Sequence, residues 1–160
     1  MDHLWSPWRY KYIQGTDSSG VCIFCQKASE QRDAENLIIH RGAHNFLILN
    51  LFPYTTGHLM VAPYRHVAML DAAPDETVTE MMLLAKTAQR HLSEIYRPHG
   101  FNLGMNLGES AGAGIAGHIH LHVLPRWTGD ANFMSTVGET RVMPEELPET
   151  FRKVRGAFSK

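Results

Sequence analysis

Residues 117–125 of the chain read Gly-His-Ile-His-Leu-His-Val-Leu-Pro. The three histidines of this stretch, His118, His120 and His122, alternate with aliphatic residues. A β-strand sends alternate side chains to opposite faces. The stretch therefore predicts a strand that carries three imidazoles on one face and buries its aliphatic side chains in a core on the other.

The segment just before this strand, residues 104–117, has five glycines in fourteen residues. A glycine-rich backbone can bring its N–H groups close to an anion. Neutral imidazole is both a nucleophile and a proton carrier near neutral pH. The two features together predict chemistry on phosphate. Two alternatives remain open: a His-x-His metal site, and core histidines hydrogen-bonded to the backbone.

Composition limits the class of protein. The 160 residues are 44% hydrophobic and 19% charged, with a formal net charge of −1. These values favour one globular domain and argue against bulk electrostatic binding of nucleic acid or of a membrane. No apolar run approaches the roughly 20 residues of a membrane span, and the first residues lack the apolar centre of a signal peptide. With only two cysteines, a secreted disulfide scaffold is not expected, which predicts a cytoplasmic protein.

Apolar runs predict four further strands, at residues 36–40, 44–51, 58–63 and 101–106. The connections between the first three are too short for parallel crossovers, which indicates an antiparallel meander. Apolar residues at three- and four-residue steps predict a long helix over Asp75–Tyr96. A short helix is expected near Glu149–Phe158. The fold class is α+β, with about five antiparallel strands, one long helix and a shorter C-terminal helix.

The chain divides into three predicted parts. Residues 1–20 form an aromatic N-terminal arm, in which basic residues interleave with Trp5, Trp8, Tyr10 and Tyr12. We expect this arm to pack on the domain or on a second subunit; stacking on a base is the alternative. Residues 21–130 form the main domain. Residues 131–160 form a C-terminal extension whose short helix packs on that domain.

A second candidate site begins at Cys22-x-x-Cys25. Such a pair can supply two corners of a tetrahedral zinc site, which two histidines would complete. His44 begins one predicted strand and His99 precedes another, so we expect these two residues to be the other ligands. The alternatives are a pair of small buried thiols and a redox-active Cys-x-x-Cys.

The run His118–Leu124 resembles the histidine-triad (HIT) signature, in which three histidines alternate with apolar residues. Residues 49–51 and 57–61 resemble the nucleoside-binding strand and the support histidine of that family, and residues 106–112 resemble its phosphate loop. The Trp-Ser-Pro-Trp-Arg start and residues 125–127 are similar to a bacterial branch that contains diadenosine polyphosphate phosphorylases and hydrolases. Some bacterial members of the family carry a Cys-x-x-Cys zinc site.

The resemblance implies a HIT-like fold, a homodimer with a sheet continuous across the subunits, and a mechanism that needs no divalent metal. His120 would attack the α-phosphorus of an adenine nucleotide, and the nucleotidyl-histidine would pass to phosphate or water. His118 and His122 would shape the site, and His58 would orient the catalytic strand.

The resemblance also implies a set of substrate-binding residues. Asn50 would hold the ribose hydroxyls. The base would lie in a slot lined by Phe24, Leu49 and Leu51. The phosphate oxygens would be bound by Asn106 and by the backbone amides of Gly112, Ala113, Gly114 and Ile115.

The loop before the triad departs from the family pattern. The related loop often reads Ala-Gly-Gln followed by Ser or Thr, whereas residues 111–117 have neither the glutamine nor the hydroxyl. That glutamine would assist the leaving group or the attacking water, so its absence favours phosphate as the acceptor. The expected reaction is phosphorolysis or hydrolysis of a dinucleoside polyphosphate such as diadenosine tetraphosphate. The alternatives are a purine nucleoside phosphoramidate hydrolase, a non-catalytic nucleotide sensor, and a zinc hydrolase that uses the triad as ligands.

Overall fold

The computed structural model describes residues 21–159; the predicted aromatic arm, residues 1–20, lies outside the described residues. The helices are α1 (Ile23–Ser29), α2 (Asp33–Asn36), α3 (Asp75–Tyr96), α4 (Phe133–Thr136) and α5 (Leu147–Phe158). The strands are β1 (Ile38–Arg41), β2 (Asn45–Leu49), β3 (Leu59–Pro63), β4 (Gly100–Gly104) and β5 (Leu121–Arg126). Short 3-10 turns cover Leu70–Ala72 and Glu109–Ala111. No helix within these residues has the length and apolar character of a membrane span.

The five strands form one sheet in the order β1-β2-β3-β5-β4, and every neighbouring pair is antiparallel. The predicted α+β fold with a five-stranded antiparallel sheet is therefore confirmed. The first three strands form the expected meander. Because β3 and β4 are both antiparallel to β5, they run in the same direction, and α3 supplies the long crossover that such strands need.

Helix α3 begins and ends at the predicted residues, Asp75 and Tyr96. Its buried side chains recur every three or four residues, at Thr77, Met81, Ala85, Ala88 and Leu92. This spacing places them on one helical face, against the sheet. Arg97, the residue after the helix, adopts the left-handed conformation of a helix C-cap.

The sheet has a different core on each face. Helices α3 and α5 cover one face, where Ile119, Leu121 and Val123 are buried together. Helix α1 covers the other face, where Phe24 packs in a separate apolar cluster. The aliphatic side chains of the histidine stretch therefore enter the α3 core, as the alternation predicts.

The histidine strand is shorter than the sequence predicts, because regular pairing begins only at Leu121. On β3, Val61 pairs with Leu121. Before this point the chain is held by separate hydrogen bonds, among them one from the Ile119 N–H to the Val67 carbonyl, 2.8 Å. Strand β1 also begins late, since Leu37 ends α2 in the left-handed conformation.

Helix α5 begins at Leu147 and packs on the domain. Its residue Val154 is fully buried in the α3 core. The Arg155 guanidinium donates to the carbonyl of Ile38 in β1, 3.1 Å. Phe158 contacts the rings of His40 and His91. The helix therefore completes a core that the sheet and α3 leave open.

Candidate active site and metal centre

The imidazoles of His118, His120 and His122 lie on the α1 face of the sheet. The centroid of the Phe24 ring is 5.2 Å from that of His118 and 5.0 Å from that of His120. The rings of His120 and His122 meet edge to face at 4.9 Å. His118 and His120 are buried, and His122 is half-buried. The three rings thus form a row under α1.

The tautomer of His120 is fixed by its backbone partner. Nδ1 of His120 lies 2.9 Å from the carbonyl oxygen of His118. A carbonyl oxygen only accepts hydrogen bonds, so Nδ1 must carry the proton of the neutral ring. Nε2 of His120 therefore keeps its lone pair, which is the condition for attack on phosphorus.

His58 and His122 form a second pair with fixed tautomers. Nδ1 of His58 accepts from the Tyr54 N–H at 3.1 Å and lies 3.2 Å from Nδ2 of Asn50. Nε2 of His58 must then carry the ring proton, which it donates to Nδ1 of His122 at 2.8 Å. His122 is left with its proton on Nε2, as a hydrogen-bond donor.

Burial keeps these rings neutral. It lowers the pKa of His58 to about 3, with further lowering by the nearby charges of His122, His120 and Arg141. Burial and the charge of His120 lower the pKa of His122 to about 4. The pKa values of His118 and His120 are also lowered by burial, against the opposing effect of their backbone hydrogen bonds. At neutral pH the row is therefore uncharged and available for nucleophilic chemistry.

We expect stability to fall as the pH drops from 7 to 5. An unfolded histidine titrates near about 6.5, so below that pH the unfolded chain binds protons that His58 and His122 reject in the folded state. The expected loss is roughly 4 kcal/mol, about 2 kcal/mol from each of the two histidines, and a His58→Gln variant should lose about 2 kcal/mol less than the wild type over this range. Urea unfolding at pH 7, 6 and 5 measures the free energy of unfolding of the wild type and of the His58→Gln variant.

The matched control for this experiment is His44→Gln, which changes an exposed histidine and should keep the wild-type pH dependence. Any loss of bound metal at low pH affects both variants alike. An unchanged pH dependence in His58→Gln would contradict the assignment of a depressed pKa to His58.

Four side chains form a cluster beside the first histidine of the row: Cys22, Cys25, His66 and His118. Their ligand atoms all lie within 4.8 Å of one another. Nδ1 of His118 is 3.3 Å from Sγ of Cys22 and 3.6 Å from Sγ of Cys25, and Nδ1 of His66 is 3.3 Å from Sγ of Cys25.

This donor set fits zinc. Bonds of about 2.3 Å to sulfur and about 2.05 Å to nitrogen place the ligand atoms of a tetrahedral site about 3.5 Å apart, which matches the three distances. Nε2 of His118 donates to the carbonyl of Pro63 at 2.9 Å. That bond leaves the lone pair on Nδ1, directed at the cysteines, as a metal-ligating histidine requires.

The prediction of His44 and His99 as metal ligands is wrong, because neither belongs to this cluster. His99 precedes β4, which pairs with β5 so that Gly100 lies opposite Arg126. His99 is therefore at the far end of β5 from His118, where its Nδ1 accepts from the Thr128 N–H at 2.9 Å. The His44 side chain is exposed, and its N–H donates to Glu80 of α3, on the other side of the sheet.

The glycine-rich loop is held by its own hydrogen bonds. The N–H of Gly112 donates to the Glu109 carbonyl at 2.9 Å, and the N–H of Ala113 to the Gly108 carbonyl at 3.4 Å. Nδ2 of Asn106 donates to the Gly112 carbonyl at 3.2 Å. Two of the amides predicted to bind phosphate, and the Asn106 side chain, are thus used to shape the loop. Gly114 and Ile115 follow in the same loop, and Ile115 packs against the α1 core.

The predicted base slot needs one correction. Leu49 lies in the α3 core with Leu121 and Val123, on the opposite face from the histidines, so it does not line the slot. In β2 the neighbouring residue Ile48 points to the α1 face with Phe24, because side chains alternate along a strand. Leu51, beyond the end of β2, is about half exposed, at 47%.

Asn50 is buried beside the His58–His122 pair. Its Oδ1 accepts from the Phe52 N–H at 3.0 Å, and its Nδ2 faces His58. Contact with a ribose stays a prediction for this residue.

Two contributors to the site are absent from the predicted set. One is His66, which the pairing of β3 with β5 could have indicated. That register places Pro63 beside His118, and His66 follows Pro63 by three residues. The Tyr54 ring lies tilted against that of His58, with 4.8 Å between the centroids, and the Arg141 guanidinium donates to the Tyr54 carbonyl at 2.7 Å. No sequence pattern indicates this second contact, because it joins residues far apart in the chain.

Residues 31–129 match the HIT domain. An AP-4-A phosphorylase of Mycobacterium tuberculosis is 41% identical over 159 residues, which cover 95% of this chain and 82% of that protein. The crystal structure of a Zn-bound histidine triad family protein from Mycobacterium smegmatis is 33% identical, with a TM-score of 0.71, and covers 89% of this chain and 96% of that chain. A hypothetical histidine triad nucleotide-binding protein from Sulfolobus tokodaii, 24% identical with a TM-score of 0.69, has the same fold.

The row of buried imidazoles on a five-stranded antiparallel sheet is the arrangement of a histidine-triad protein, and the chain belongs to the HIT family. It is an enzyme of that family, similar to a phosphorylase over most of its length.

Proposed function

We propose that this enzyme cleaves dinucleoside polyphosphates of the diadenosine tetraphosphate type through a covalent nucleotidyl-histidine on His120. The observation that carries the proposal is the hydrogen bond from Nδ1 of His120 to the His118 carbonyl, 2.9 Å. It presents Nε2 of a neutral, buried imidazole as the nucleophile. The name of the Mycobacterium tuberculosis relative, an AP-4-A phosphorylase, supports the substrate class.

In the first step, Nε2 of His120 forms a bond to the α-phosphorus, and the bond from that phosphorus to the bridging oxygen breaks. The electron pair leaves with the departing nucleoside triphosphate. The ring of His120 gains positive charge as the bond forms, and the His118 carbonyl stabilises that charge through Nδ1–H. Two such displacements replace one difficult reaction.

His122 acts on the departing oxygen. Its Nδ1 receives the hydrogen bond of His58, which leaves Nε2–H as a donor. A fixed donor aimed at developing negative charge is an effective means of stabilising a transition state. His58 orients this donor through a ring that two further hydrogen bonds hold in place. In this scheme Asn50 supports His58 and also lies close enough to the row to serve the predicted ribose contact.

Orthophosphate is the proposed second acceptor, in preference to water. Apart from Ile115, residues 111–117 are all alanine or glycine, and they lack the glutamine and the hydroxyl of the family pattern. This leaves room for an acceptor larger than water and removes a side chain that would position water. Attack by phosphate on the nucleotidyl-histidine releases a nucleoside diphosphate and restores His120.

The Cys–His cluster is proposed as a structural zinc site. Cys22, Cys25, His66 and His118 supply four ligands, which fill the tetrahedral shell of zinc and leave no open position for substrate. A bound zinc ion would join α1 to the start of the histidine row. The Zn-bound relative from Mycobacterium smegmatis supports this assignment.

A homodimer is the proposed assembly. Strand β4 is at the edge of the sheet, and residues 102–104 are exposed. An exposed edge offers backbone groups to a second strand, so the edge at β4 could extend the sheet into a second copy, as the family resemblance implies. A cytoplasmic location stays a prediction.

The acceptor is tested by incubating diadenosine tetraphosphate with the enzyme in phosphate and in phosphate-free buffer of equal ionic strength. We expect turnover at least about tenfold faster with phosphate, a difference of about 1.4 kcal/mol in the barrier. Mass spectrometry should find ADP and ATP as products, with label from ¹⁸O-phosphate in the ADP alone. AMP formed at a rate indifferent to phosphate would overturn phosphorolysis and leave hydrolysis.

A further inference from the structure

A cavity of about 540 Å³ lies beyond Tyr54, outside the histidine row. It is enclosed by the loop at residues 54–56, by the turn after β5, and by the C-terminal segment that leads into α5. This volume is in the range of small-molecule sites. Its aromatic and cationic walls come from Tyr54, Tyr96, Trp127, Arg141 and Lys153.

Tyr54 separates this cavity from the row. Its ring centroid is 4.8 Å from that of His58 and 6.2 Å from that of His122, while the residue also lines the cavity. The other end of the row is closed, because His118 belongs to the Cys–His cluster. A substrate whose α-phosphate meets His120, and whose departing oxygen meets His122, therefore extends past Tyr54 toward the cavity.

Arg141 gives this side of the site a positive charge. Its guanidinium donates to the Tyr54 carbonyl at 2.7 Å and lies 5.8 Å from the centroid of the Tyr54 ring. Within residues 21–159 it forms no ion pair with a carboxylate.

The acidic residues of the cavity wall, by contrast, are already paired. Asp130 binds Arg126 at 2.6 Å, and Glu145 binds Lys153. Arg141 also helps to lower the pKa of Asp130, but that carboxylate has its ion pair with Arg126. The guanidinium of Arg141, with no carboxylate at ion-pair distance, therefore favours a phosphate group at the mouth of the cavity.

We propose that this cavity binds the departing half of a dinucleoside polyphosphate, with its nucleoside among the aromatic side chains and its phosphates beside Arg141. The ligand class is a nucleoside triphosphate, the group that leaves when His120 attacks. The inference rests on the proposed function and extends it: the enzyme recognises both ends of its substrate, and the C-terminal segment supplies the second recognition site.

The test compares two substrates in a variant that fills the cavity. Met143 lines the cavity and is half-buried, so Met143→Trp places a large ring inside it. Diadenosine tetraphosphate has the second nucleoside, whereas adenosine tetraphosphate has the same phosphates without it. We expect Met143→Trp to raise KM for the first substrate about tenfold, and KM for the second less than about twofold.

The matched control is Val137→Trp, which adds the same ring at a residue of the same segment that is 65% exposed and outside the cavity. It should change neither KM. Equal changes with both substrates in Met143→Trp, or none with either, would overturn the cavity assignment. Turnover of adenosine tetraphosphate also reports whether each variant is folded.

Arg141→Gln tests the phosphate contact. Both substrates carry the departing phosphates, so KM should rise about fivefold for each, with kcat changed less. Arg152→Gln is the control, since Arg152 is exposed and paired with Glu149 on α5. A fall in kcat at constant KM would assign Arg141 to holding Tyr54 alone and would contradict the phosphate contact.

The failure of this inference is distinguishable from failure of the proposed function. Wild-type enzyme that cleaves neither substrate refutes the function. Wild-type enzyme that cleaves diadenosine tetraphosphate, with a KM that Met143→Trp leaves unchanged, refutes only the cavity.

Discussion

Replacing His120 with asparagine is expected to reduce turnover of diadenosine tetraphosphate by about 10⁴-fold or more, because it removes the attacking nitrogen. Asparagine retains a side-chain N–H that can donate to the His118 carbonyl, the partner of Nδ1 in the native ring. Substrate binding should therefore change little, within about fivefold in Kd by isothermal titration calorimetry. Mass spectrometry of wild-type enzyme quenched during turnover should find a nucleotidyl adduct that the variant lacks.

His44→Asn is the matched control for this experiment, since it makes the same substitution at an exposed histidine. It should retain wild-type turnover and form the adduct. Turnover of His120→Asn within about tenfold of the wild type would mean that His120 is not the nucleophile. A variant that loses both binding and turnover would show that the residue is needed to build the pocket.

Replacing His66 with asparagine is expected to remove bound zinc and to lower the free energy of unfolding by at least about 3 kcal/mol, because a metal that binds only the folded chain stabilises it. Metal analysis of the purified protein should fall from about one zinc per chain to near zero. Turnover at low temperature, where the variant stays folded, should remain within about fivefold of the wild type, since no ligand position is open to substrate.

His44→Asn is again a control, His99→Asn is a second one, and both should keep zinc at the wild-type level. Retention of zinc in His66→Asn would contradict the ligand set. Turnover that falls in proportion to zinc content in protein that remains folded would assign the metal to the chemical step.

Local patterns in the sequence predict most of the fold. The apolar side chains of α3 recur regularly along the whole helix, and both ends of the helix agree with the prediction. The strand positions agree to within a few residues, because the apolar residues that indicate each strand lie within the strand itself. The placement of β5 between β3 and β4 has no such local signal, because it depends on how α3 carries the chain across the sheet.

The candidate site also combines features that local sequence patterns predict with features that depend on long-range pairing. The alternation of histidines predicts the row, since the period of a strand is a local property. The metal ligands are non-local: His66 and His118 meet because β3 and β5 pair in one particular register. His99 fails as a ligand because the pairing of β4 with β5 carries it to the other end of the strand. Leu49 fails as a slot residue because side chains alternate along β2, which directs Ile48 to the α1 face and Leu49 into the α3 core.

The part of the chain that matches the HIT domain ends at residue 129, yet the interior does not end there. Val154 of α5 has no exposed surface and is packed among residues of the sheet and of α3. A polypeptide cut after residue 129 would expose the apolar surface on which α5 packs, with the attendant risk of aggregation. The folding unit is therefore longer than the matched HIT domain, and a variant shortened at residue 129 would lack part of its own core.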